Sequence, residues 1–123
     1  MRIWLIAAAI NGFLAVAAGA IGAHALKSRI TEDALAIFET AARYQMWHAL
    51  ALFAVAWLAA MVSDRTVLTV AGWAFIAGIV LFCGTLYLIS IFGARPLAPL
   101  APLGGAAFLI GWAALALAAW RLT

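Results

Sequence analysis

Polar residues are so sparse along this chain that they act as punctuation between long apolar runs. The first run, about residues 3–25, carries Asn11 as its interior polar residue. Further runs cover about 45–62, 67–92 and 103–120. A helix needs roughly 20 apolar residues to cross the hydrocarbon core of a bilayer, so the pattern predicts four crossings. Arg2 followed by the first run and Ala23-His24-Ala25 imitates a signal peptide. A signal h-region is only about 7–15 residues long, so the run is expected to be a transmembrane helix.

Between the first two runs the pattern changes. Thr31 is placed to cap a helix whose first turn holds Glu32 and Asp33, where anions are favoured. Leu35, Phe38, Ala41 and Ala42 then fall on one face, with Glu32, Glu39 and Arg43 on the other. The segment 31–44 is therefore expected to be an amphipathic helix at the interface, continuing through Tyr44 and Trp47 into the second crossing. Ser63-Asp64-Arg65 reads as a tight polar turn. Gly93 and Pro96 end the third run, and Pro96, Pro99 and Pro102 at three-residue spacing predict a short extended segment, with Pro102 tolerated in the first turn of the last helix.

Composition makes the surrounding medium explicit. Of 123 residues, 70% are hydrophobic and 9% charged, and mean hydropathy is +1.19. A soluble domain carries about a quarter of its residues as charges; here the exterior has to be lipid. The expected class is all-α, a single integral membrane domain over residues 1–123 forming a four-helix bundle. A net charge of +3 comes from basic residues standing singly near helix ends, which excludes a nucleic-acid track. Cys83 is the single cysteine, so neither an intrachain disulfide nor a paired-cysteine zinc site is expected.

No Asp, Glu, Lys or Arg falls inside the four runs. Proton-coupled transporters generally need an ionisable group at membrane depth, so coupled transport is disfavoured. With helices alternating in direction, His24, Lys27, Thr40, Tyr44, Gln45, His48, Tyr87 and Ser90 fall toward one side. Thr40, Tyr44 and His48 form a stripe at i, i+4, i+8, and Gln45 borders it. Such a cluster suits interhelical hydrogen bonding, a ligand or lipid headgroup, or metal and proton chemistry. Hydrogen bonding that holds helices in register is the simplest of these. No metal or cofactor is called for, because two histidines fall short of the usual three or four ligands. Asn11 reads as an amide joining helices. Recurrent glycines (Gly12, Gly19 and Gly22; Gly72, Gly78 and Gly84; Gly104, Gly105 and Gly111) predict close helix packing without a pore and leave lateral surface for homo-oligomerisation.

Three stretches carry a resemblance: residues 19–26 (GAIGAHAL), 40–50 (TAARYQMWHAL), and 102–105 (PLGG) with Gly111-Trp112. In these, the chain resembles the YgdD/YwdK family of small bacterial inner-membrane proteins, a domain of unknown function with relatives in eukaryotes. The resemblance implies several transmembrane helices in a plasma membrane and places His24, Tyr44, Gln45 and His48 in the family signature.

The expectation is a non-enzymatic membrane protein acting through self-assembly, a partner or lipid; the sequence names no small-molecule ligand. The alternative is small-solute or ion permeation with the His/Tyr/Gln cluster at one mouth. An even number of crossings puts both chain ends on one side. Lys27, Arg29, Arg43 and Arg95 against Arg2, Arg65 and Arg121 favours, by one residue, ends facing away from the cytoplasm.

Overall fold

In a computed structural model describing residues 1–122, four helices run in sequence. They are α1 (Arg2–His24), α2 (Glu32–Ala59), α3 (Thr66–Phe92) and α4 (Leu100–Trp120). By length and composition, α1, α3 and α4 are each apolar enough to cross a membrane. The 28 residues of α2 span roughly 42 Å, more than the hydrocarbon core, but this helix carries Arg43, Tyr44, Gln45 and His48.

The least apolar helix sits innermost. α2 buries Phe38, Ala41, Ala42, Gln45, His48, Leu52 and Val55, whereas α1 buries only Trp4, Ala8, Ala15 and Gly22. Polar groups without water must be satisfied inside the protein, and a central position supplies partners on every side. Each helix packs antiparallel on the preceding one: Gly22 of α1 lies on Phe38 of α2, and Gly111 of α4 lies on Phe75 of α3. Phe75, Leu52, Leu68, Val55 and Cys83 fill the interior and are almost wholly inaccessible. The outside is apolar, with Phe13, Trp57, Leu109 and Trp120 exposed. Cys83 is a small buried core residue.

The amphipathic segment forms the first turns of α2 and is not a separate surface element. No glycine or proline interrupts residues 32–59, so nothing breaks the helix at the membrane boundary. Thr31 caps it, its Oγ1 accepting the Ala34 N–H at 3.1 Å. Phe38 turns inward, and Glu32, Asp33, Glu39 and Arg43 remain exposed. In the polar turn, Asp64 Oδ1 accepts the Thr66 N–H at 3.0 Å. That bond holds the exposed carboxyl below the usual carboxylate range.

The proline segment differs from the expected extended form. Gly93 ends α3 at φ 66°, a left-handed conformation that glycine adopts without strain. A 3₁₀ turn over Arg95–Leu97 follows, and α4 begins at Leu100. Three-residue spacing matches the three residues per turn of a 3₁₀ helix. The N–H groups of Leu97, Ala98 and Ala101 bond to Ala94, Arg95 and Ala98, so Pro96, Pro99 and Pro102 fall where no donor is used.

α3 also contains a π-helical segment, Ile79–Cys83, which hydropathy does not reveal. α4 comes closest here: a Cβ on Gly104 would collide with the backbone N and Cα of Phe82. Gly105, one residue on, faces open space. Gly104→Ala should therefore destabilise the bundle by about 1–3 kcal/mol, since backbone cannot move aside as a side chain would. Gly105→Ala should be neutral or mildly stabilising. Thermal unfolding of both variants in detergent checks the pair; equal melting temperatures would contradict this packing.

Candidate functional site

Two hydrogen-bond networks leave α2 in different directions from neighbouring positions. The first runs through Gln45 toward α1 and α3. Asn11 Nδ2 donates to the Ala7 carbonyl at 2.9 Å, which aims its Oδ1 at α2. Gln45 Nε2 donates to that Oδ1 at 3.1 Å, and the Tyr87 hydroxyl donates to Gln45 Oε1 at 2.8 Å. One amide thus ties three helices together, with the Tyr87 ring set edge-on to Phe38 at 5.1 Å.

The second network faces α4. Trp112 Nε1 donates to His48 Nε2 at 3.0 Å, and His48 Nδ1 lies 2.6 Å from the Tyr44 carbonyl. An indole nitrogen only donates, so Nε2 has to be the acceptor and the ring proton sits on Nδ1, donating to Tyr44. Both imidazole nitrogens are engaged. The ring stacks on Phe108 at 3.6 Å and 8°, while Phe75 meets Trp112 edge-on at 5.2 Å. Tyr44 packs on Phe82, 4.7 Å away, from the π segment. Every buried side-chain nitrogen and oxygen among the described residues has a partner.

These pairings divide the cluster expected from spacing. Gln45 and Tyr87 meet in the first network, Tyr44 and His48 belong to the second, and His24 and Thr40 join neither. Thr40 Oγ1 returns to its own helix, donating to the Ala36 carbonyl at 2.9 Å. His24 is exposed at the end of α1. Gly22 lies against Phe38, and His48 is ten residues further along α2, roughly 15 Å away. Lys27 is exposed in the turn after α1, and Ser90 Oγ donates within α3 to the Tyr87 carbonyl. Among the described residues, no three of His, Cys, Asp and Glu gather where a metal ion could be held. One working partner, Trp112, escaped the spacing argument. It was hidden because tryptophan is ordinary in a membrane helix, although its mid-helix position is unlike the interfacial belt. Asn11 was visible, but not its partner.

Beside the second network a groove of about 640 Å³ opens sideways between α2 and α4. Tyr44, Trp47, His48, Phe82, Phe108 and Trp112 line it, and Gly105 leaves its wall low.

The family described as protein of unknown function (DUF423) matches residues 18–105. The chain is 45% identical to the UPF0382 membrane protein YwdK of Bacillus subtilis over 119 residues, covering 97% of each chain. It is 37% identical to the UPF0382 membrane protein SAB0533 of Staphylococcus aureus, covering 98% of each. It is 38% identical to the UPF0382 membrane protein SERP0230 of Staphylococcus epidermidis, covering 96% of this chain and 95% of the relative. No solved structure matches.

If Gln45 is the fastener of the three helices, Gln45→Leu should lower stability in detergent by about 1–2 kcal/mol, the range of interhelical bonds in model helices. Tyr87→Phe should cost less, and the double variant should show that the two losses are not additive. Strict additivity in a double-mutant cycle would mean that the two side chains do not interact.

Proposed function

Because the chain belongs to the family described as protein of unknown function (DUF423), whose relatives are named membrane proteins, we propose that it is a non-enzymatic protein of the plasma membrane. It acts through the surface its bundle presents to lipid, a partner or further copies of itself. The observation that carries this reading is the closure of the interior. Buried polar side chains bond to one another or to backbone with none left over, and large apolar side chains occupy the space between helices. A route for ions or small solutes needs lining groups free to replace water. Gln45 and His48 are instead spent on Asn11, Tyr87, Trp112 and Tyr44. Their role in this proposal is to set helix register, leaving recognition to the exterior.

Orientation belongs to the same reading. Lys27, Arg29, Arg43 and Arg95 face the cytoplasm, and both chain ends lie on the other side. A phosphatase reporter fused after the last residue, active only outside the cytoplasm, should be active.

Reconstitution into vesicles tests function directly. Proton flux read by an entrapped dye, and osmotic swelling with small neutral solutes, should match empty vesicles. His48→Ala should lower the melting temperature, through lost stacking and an orphaned indole donor, without creating or abolishing flux. Flux in the wild type that His48→Ala removes at unchanged melting temperature would establish the permeation alternative.

A further inference from the structure

The groove between α2 and α4 has a chemical gradient along its length. Its part toward the middle of α4 is aromatic, lined by buried His48 and Phe108 and by the more exposed Trp112. Toward the end of the bundle that holds Lys27, Arg29 and Arg95, its wall is Tyr44. Arg43 continues the line: Arg43, Trp47 and Leu50 are spaced i, i+4, i+7, so they share one stripe of α2. Trp47 and Leu50 line the groove, and all three are exposed. Long arginine side chains at such positions extend toward the interface. Glu39 is one turn further out and also exposed, but cations outnumber acids at this end. Lys27, Arg29, Arg43 and Arg95 stand against Glu32, Asp33 and Glu39.

Resting on the lateral-surface reading above, we propose that this groove holds one acyl chain of an anionic phospholipid, with its headgroup at Arg43. Gly105 to Trp112, which bound the groove on α4, are separated by roughly 10 Å along the helix, a length that takes up part of one acyl chain. Gly105 contributes no side chain to obstruct it, and a Cβ there would meet nothing within 4 Å. The charge supports an anionic head, since a basic side chain beside an anionic bilayer surface favours association by roughly fivefold. The Tyr44 and Trp47 rings, 5.0 Å apart, occupy the level between headgroup and chain that amphipathic aromatics prefer.

The test is native mass spectrometry of the full chain after reconstitution in vesicles of equal phosphatidylglycerol and phosphatidylcholine. One lipid should remain per protomer, with phosphatidylglycerol in roughly fivefold excess. Arg43→Gln should lose most of that excess while still retaining a lipid. Gly105→Leu, which fills the groove, should lose the lipid at unchanged melting temperature; Leu109→Trp, on an exposed position, provides the same obstruction should the first variant fail to fold. Equal retention of both lipids by the wild type, or undiminished retention in a folded groove-filling variant, overturns the proposal. So does a lipid-free dimer that covers the groove. None of these outcomes touches the flux result, so the wider reading stands or falls separately.

Discussion

The fold is governed by the requirement that no polar group be left unpaired in hydrocarbon. α2 carries Gln45 and His48 in its middle, and in lipid each would cost several kcal/mol without partners. The chain meets this by surrounding α2: Asn11 arrives from α1, Tyr87 from α3 and Trp112 from α4. The helices around it then have few polar demands of their own, and their outward faces are free to be apolar. Burial order in this bundle is thus the reverse of a soluble protein's, with the most polar helix at the centre and the most apolar surfaces outside.

Polar fastening works here because packing brings the helices close enough. Bonds of 2.8 to 3.1 Å across three helices need backbones that approach tightly, and small residues supply this. Gly72 receives the ring of Trp4, Gly78 that of Phe108, and Gly111 that of Phe75. The π segment brings the backbone of Phe82 to Gly104 and its ring to Tyr44 and Phe108. Glycine-to-aromatic contacts and amide-to-hydroxyl bonds are two parts of one register: slipping a helix by one residue would break both.

Much of this was legible in the residues. Long apolar runs mark α1, α3 and α4 close to their ends, because hydropathy responds directly to the medium, but the run at 45–62 covers only the later part of α2. Thr31 announced the start of α2 through its capping chemistry. Tyr44, Gln45, His48 and Tyr87 could be gathered because alternating helix direction fixes depth. Depth alone, however, does not fix azimuth. Asn11 and Gln45 bond although nothing in their spacing pairs them, whereas His24 fails on depth itself, lying exposed at the level where α2 begins, roughly 15 Å along the axis from His48. Trp112 was hidden by its chemistry, since indole serves equally as interfacial anchor, apolar filler and donor. The π segment depends on contact with α4, and the 3₁₀ turn depends on which N–H groups find acceptors; neither is a property of local hydropathy.

The measurement closest to the central claim is through-hydrogen-bond nitrogen–nitrogen coupling in ¹⁵N-labelled protein in lipid nanodiscs. A correlation between Trp112 Nε1 and His48 Nε2 is expected, with the His48 proton on Nδ1 and the indole proton protected from exchange with water. An indole proton exchanging at the rate of a solvent-exposed tryptophan, with no coupling to His48, would contradict the polar pairing of α4 to α2.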